Sequence, residues 1–194
     1  MTEPPATPVR RAFVDGRFGQ IHLRRAGPSD AAGIARVHVE SWRTTYAGML
    51  PDAYLLGLDV GQRTAFWKRL LSPHGDAVVV AEEKGAGIVG FGSCGPMRAD
   101  EQPRGGGWTG EIYTLYLLGD WHGRGIGRAM LEWLLDTLRS RGLDRILLWV
   151  VEANPTRFFY ETMGGRVVAR RSESFAGIML DELAYGWTPE GTAS

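Results

Sequence analysis

Two hydrophobic rhythms alternate along the chain from residue 20 onward. Strand-like alternation marks 20–25 (QIHLRR), and Gly27-Pro28-Ser29-Asp30 then supplies turn and N-cap chemistry. A helix is predicted from there to about Thr45, with Ile34, Val37, His38, Ser41 and Trp42 recurring every three or four residues as a core stripe. Residues 51–58 and 60–71 predict a second helical stretch, broken near 57–59, that turns Phe66, Trp67, Leu70 and Leu71 to the core. The runs 77–82 (AVVVAE) and 88–92 (IVGFG) flank Lys84-Gly85-Ala86-Gly87 and predict two antiparallel strands joined by a glycine turn. A third strand is expected over 111–118 (EIYTLYLL), after a surface loop at 100–109 that contains Gly105-Gly106-Gly107.

The most regular helical period covers 125–141, where Ile126, Ala129, Met130, Trp133, Leu134 and Leu138 share a face and Gly142 ends it. The continuous apolar run 145–151 (RILLWVV) has the length of a strand buried on both faces, expected beside the 111–118 strand. Pro155 opens a short helix to Met163, ended by Gly164-Gly165, and 166–170 and 177–187 close the chain as an antiparallel pair. There is no internal repeat. This order predicts an α/β (α+β) fold, a mixed sheet with helices on both faces.

With 194 residues, 44% apolar and 23% charged, the chain suits one folded domain. Residues 1–19 lack a sustained period and are expected to form a mobile N-terminal arm, available for contacts in a homodimer; 20–187 form the domain and 188–194 a tail. Lys plus Arg (22) equals Asp plus Glu (22), so bulk charge gives no case for nucleic acid or an anionic membrane, and any anion must be bound locally. Cys94 is the only cysteine, which excludes an internal disulfide and a multi-cysteine zinc site, and fits a cytoplasmic protein. His38 and His74 lack metal-ligand spacing, so no metal is expected.

Chemistry concentrates between residues 115 and 130. An apolar strand runs through Gly119-Asp120-Trp121 into His122-Gly123-Arg124-Gly125-Ile126-Gly127-Arg128 and directly into the best helix. The first N–H groups of a helix lack internal partners and carry partial positive charge, so a glycine loop opening a helix suits phosphate oxygens. Arg124 and Arg128 add candidate charge-assisted bonds. A dinucleotide-binding G-x-G-x-x-G counted from Gly123 fails at Arg128, and a P-loop needs a lysine that is absent after Lys84. A turn that only packs helix on strand is the remaining competitor.

Leu115-Tyr116-Leu117 followed by His122 to Gly127 resembles the signature of the GNAT superfamily of acyl-CoA-dependent N-acetyltransferases, a strand and then [QR]-x-x-G-x-[GA] opening a helix. Asn154 and the later Phe158-Phe159-Tyr160-Glu161 with Met163-Gly164 resemble that family's Asn and F-Y-E-x-x-G helix. His122 stands where the family prefers Gln or Arg, and Gly165 where an aromatic residue is usual. The resemblance spans about 20–187. It implies a mostly antiparallel sheet whose central parallel pair splays into a cleft, acetyl-CoA as donor and a primary amine as acceptor. It further implies cofactor contacts at Leu117, Leu118, His122, Gly123, Arg124, Gly125, Ile126, Gly127, Arg128 and Asn154. A non-catalytic acyl-CoA sensor, or a transferase using another acyl donor, are the alternatives.

Tyr160 matches the family's general acid, with a core tyrosine as the competing reading. Glu111, at the start of the central strand, is a candidate base for the acceptor, directly or through water, against a plain strand-end carboxylate. Need depends on the acceptor: neutralising a lysine-like amine at pH 7 costs about 4.6 kcal/mol, an α-amino group about 1. Trp42 and Tyr46 are candidate acceptor contacts, with Arg43, Arg98 and the 48–51 turn as further candidates.

Overall fold

The computed structural model describes residues 11–12, 21–71 and 75–189, so the expectations for the rest of the N-terminal arm, for His74 and for the end of the tail fall outside the described residues. Among the described residues eight strands form one sheet: β1 (Arg11–Ala12), β2 (Ile21–Arg25), β3 (Ala77–Glu83), β4 (Gly87–Pro96), β5 (Gly110–Leu117), β6 (Ile146–Val151), β7 (Arg166–Phe175) and β8 (Ile178–Trp187). Their order is β1-β2-β3-β4-β5-β6-β8-β7, and among these pairs only β5–β6 is parallel. Arg11–Ala12, within the segment expected to be an arm, pairs with the edge of β2.

The helices are α1 (Ala31–Thr45), α2 (Asp52–Leu56), α3 (Val60–Leu70), α4 (Ile126–Ser140) and α5 (Arg157–Thr162). One face of the sheet packs α1 and α3 against Val78, Val80, Phe91 and Tyr116. The other packs α4 against Val79, Val89, Ile112 and Leu148, with Tyr160 of α5 in the same cluster. β4 carries Gly92 where α4 crosses: a Cβ there would stand 2.8 Å from Leu134 Cδ1, so glycine sets how closely that helix lies on the sheet. Of the four residues expected to face the core from the second helical stretch, Trp67 and Leu71 are buried. Phe66 and Leu70 are each 37% exposed, because α3 turns only one narrow stripe toward α1.

Asp30 fixes where α1 begins. Its carboxylate accepts from Arg24 Nη1 and Nη2 at 2.7 and 2.8 Å and from the Gly27 amide at 2.8 Å, tying the helix start to β2. The Arg24 hydrogen bonds hold its carboxyl below the ordinary value of 3.8. A depressed carboxylate stabilises the fold above its unfolded value and loses that contribution as pH falls through the folded one. Asp30→Asn is therefore expected to cost about 1–2 kcal/mol at pH 7. Urea melts should show the gap to wild type closing below pH 4.

The sheet opens on one seam. β5 and β6 share only the register pairs Gly110↔Ile146 and Glu111↔Leu147, after which each follows its other neighbour: β5 pairs with β4 as far as Leu117, and β6 with β8 as far as Val151. A bulge helps to turn β5. Ser93 opposes Thr114 while Cys94 opposes Ile112, leaving Tyr113 as the extra residue, and such an insertion bends a strand and raises its twist.

Candidate active site

A cleft of about 520 Å³ fills the wedge between β5 and β6. Beyond Glu111, the β5 backbone facing the seam has no strand partner, so apart from the Leu117 carbonyl, which His122 reaches, its polar groups are available to an extended ligand that brings its own amides. At the open end the chain makes a 3₁₀ turn at Gly119–Trp121, then passes through Gly123 (φ 72°) and Gly125 (φ 75°) into α4. Gly125 is the N-cap of α4 and has no side chain to satisfy the first amides of the helix. A Cβ at Gly123 or Gly125 would meet nothing within 4 Å, so the backbone of this loop lies open to a ligand. Left-handed φ is costly for other residues: Gly125→Ala is expected to destabilise by about 1–2 kcal/mol and to weaken coenzyme A binding at least several-fold by calorimetry.

Seven of the expected cofactor contacts line this cleft: Leu117, His122, Gly123, Gly125, Gly127, Arg128 and Asn154. The His122 ring nitrogen Nε2 lies 2.9 Å from the Leu117 carbonyl; a carbonyl only accepts, so Nε2 carries the proton. Asn154 is buried; its Oδ1 accepts from the Thr156 amide at 2.9 Å, which holds the turn into α5, and its side chain also hydrogen-bonds the Tyr46 hydroxyl.

Leu118, Arg124 and Ile126 are not among the cleft residues. Leu118 packs in the α1 core and its amide donates to Val89 O at 2.9 Å, since it is where β5 rejoins β4. Ile126, the first residue of α4, is fully buried, and the Arg124 guanidinium lies 4.7 Å over the Trp121 ring.

Tyr160 and Tyr46 come together in the cleft from opposite faces of the sheet. Burial, with the Tyr46 phenol close by, pushes Tyr160 well above the ordinary tyrosine value, so it holds its proton throughout the neutral range. Tyr46 and Tyr116 are raised by burial too, and their hydroxyls stand 3.5 Å apart. Trp42 does not reach the cleft. It packs beside Tyr46 (ring centroids 5.1 Å) under the tip of the β7–β8 hairpin, where Phe175 lies 6.0 Å away. His38, one turn earlier, stacks on Phe91 and Tyr116 and accepts from Trp67 Nε1 at 3.3 Å; burial pushes it down to about 4.

Glu111 is also absent from the cleft lining. It is 1% exposed, and its carboxylate accepts from Arg98 Nε at 3.1 Å, from Arg98 Nη2 and from the Arg98 amide. It sits at the apex, where the strands are still paired, so the expected role as base is not carried forward. Arg43 and Arg98, the candidate partners of an acceptor carboxylate, are likewise engaged by the protein. Arg43 donates to Leu55 O and Leu58 O at the end of α2, and Arg98 to Glu111.

The sequence reading missed Thr114, Tyr116, Trp149 and Phe159, all of which line the cleft. Thr114 and Tyr116 alternate with Leu115 and Leu117, a period-two signal that could have placed both on one face. Trp149 sits in a run without alternation and gave no such signal. Among the described residues, no group of three or more His, Cys, Asp and Glu could hold a metal ion.

Residues 38–164 match the sequence profile of the Acetyltransferase (GNAT) family. The uncharacterized N-acetyltransferase YuaI of Bacillus subtilis is 35% identical over 167 residues, covering 86% of this chain and 92% of that protein. An uncharacterized N-acetyltransferase of Archaeoglobus fulgidus is 34% identical over 157 residues, covering 79% and 96%. Among solved structures, YncA of Salmonella typhimurium, a putative acetyltransferase described with its cofactor acetyl-CoA, superposes with a TM-score of 0.64 at 22% identity, covering 90% of this chain and 96% of that one.

Proposed function

The chain belongs to the acetyltransferase (GNAT) family, and on that premise we propose that it transfers an acetyl group from acetyl-CoA to a primary amine. The observation that carries this reading is the open β5–β6 seam with an uncapped glycine-rich helix start at its mouth and Tyr160 in its wall. The β5 edge beyond Glu111, up to the Leu117 amide, suits the amides of a pantetheine arm, with the Leu117 carbonyl held by His122 Nε2. The amides of residues 123–128, with the Arg128 guanidinium beside them, suit a diphosphate. Asn154, which lines the cleft, is proposed as a further cofactor contact. Side-chain roles for Leu118, Arg124 and Ile126 are not proposed; Arg124 and Ile126 contribute through their loop amides, and both backbone groups of Leu118 are taken by Val89 and Trp121.

Transfer needs a neutral amine nitrogen to attack the thioester carbon and a proton for the departing sulfur. Tyr160 is proposed as the donor of that proton. Burial keeps the phenol protonated and in place; a phenol is a weaker acid than a thiol, so the transfer to sulfur is drawn to completion by the proton that Tyr160 takes back from the surplus N–H of the new amide. Tyr46 is proposed to contact the acceptor. The test is calorimetric binding of acetyl-CoA alongside free-thiol release with a panel of amino acids, polyamines, aminoglycosides and lysine peptides. Amine-dependent release is expected. Binding without release from any amine would instead mark a non-catalytic acyl-CoA module, and no binding would remove the loop reading.

A further inference from the structure

Among the described residues the cleft's one permanent side-chain charge, Arg128, stands at the glycine loop beside His122, whereas the walls toward the apex and α1 are Thr45, Tyr46, Thr114, Tyr116 and Trp149. Among the described residues that line the cleft, none is Asp or Glu.

Carboxylates do flank the apex, and four of them are held by arginine. Glu111 is bound by Arg98. Arg171 Nε donates to Glu182 Oε2 at 2.8 Å and its Nη1 pairs with Glu101, while Glu152 pairs with Arg170. The same Arg171 guanidinium lies 4.1 Å over the Trp149 ring, whose Nε1–H donates to Glu101 O at 3.0 Å. One face of the only tryptophan lining the cleft is thus already occupied by a cation, which disfavours a second one there. Behind Tyr116, His38 is neutral in the working range and has one ring nitrogen engaged by Trp67. The three phenols of Tyr46, Tyr116 and Tyr160 are held in their protonated form by burial and so bring no negative charge.

An ammonium entering this apex would give up its hydration without meeting a free counter-charge. Building on the acetyltransferase reading above, we infer that the acceptor is a weakly basic primary amine, an α-amino group or its electronic equivalent on an uncharged or aromatic body, that arrives neutral and requires no carboxylate base. Its lone pair forms the bond to the thioester carbon, and the C–S bond breaks with its electron pair on sulfur. Tyr160 gives its proton to that sulfur and regains one from the surplus N–H of the new amide, by way of the Tyr46 hydroxyl or water. Amine plus thioester becomes amide plus thiol, with no other reactant.

The test compares acceptors that share a body and differ in basicity: phenylalanine amide against phenethylamine, and glycine amide against ethylamine, by thiol release from acetyl-CoA between pH 6 and 10. At pH 7 about one lysine-like amine in 2,500 is neutral against about one α-amino group in seven. The amides are therefore expected to lead in kcat/KM by about 100-fold or more at pH 7. The acid limb of each profile should move with the acceptor's own titration. Equal kcat/KM within each pair at pH 7, or an acid limb fixed at one pH for both members, would overturn the inference while leaving the transferase reading standing. Absence of thiol release with every amine, despite acetyl-CoA binding, would overturn both.

Discussion

Replacing Tyr160 by Phe is expected to lower kcat by about 10²–10⁴-fold, the range that a positioned general acid contributes. Only an oxygen is lost, and the ring keeps its packing against Phe159, Tyr185 and Trp187. The acetyl-CoA dissociation constant should therefore change by less than about threefold, under 1 kcal/mol. An unchanged kcat would remove Tyr160 from the mechanism. Because burial raises the phenol, the wild-type rate should not fall through loss of this proton below about pH 10.

Arg98→Met is expected to destabilise the fold by about 2–4 kcal/mol, somewhat less than the full cost of breaking a buried ion pair because Arg98 is itself half-exposed. Glu111 would keep only the amide bond from residue 98. A chain of this length should then melt about 5–15 °C lower. Adding Glu111→Gln to Arg98→Met should restore part of the loss, because the buried charge that lost its partner is gone. The outcome separates two roles for Glu111. A structural carboxylate gives this coupling in thermal melts, whereas a base would instead move the acid limb of the rate profile.

The helical and strand periods were legible because each element must bury one face. α4 follows its predicted stripe, with Ile126, Met130, Trp133, Leu134 and Leu138 all buried. The strand predicted at 111–118 appears at Gly110–Leu117 and the one at 145–151 at Ile146–Val151. Length was less legible: β7, expected over 166–170, runs to Phe175, because its later residues Arg171, Ser172 and Glu173 gain their pairing from β8 and carry no apolar alternation of their own.

The glycine loop, Tyr160 and Asn154 were readable as a linear pattern because backbone geometry at a strand-to-helix turn is local. Glu111 was misplaced for the opposite reason. Its position in the strand was right, but whether a strand-end carboxylate faces ligand or arginine depends on residue 98, thirteen positions away and across β4. Trp42 shows the same limit, since the hairpin tip that takes it into a separate aromatic cluster comes more than 100 residues later.

By itself, then, the sequence determined the elements, the helix-opening glycine turn and the family to which they belong, all set by short-range periodicity and backbone conformation. Tertiary structure alone decided where the sheet parts, which carboxylates arginine claims and which aromatic rings face the cleft. Those outcomes depend on strand register, the bulge at Tyr113 and long-range ion pairs, whose partners no local pattern specifies.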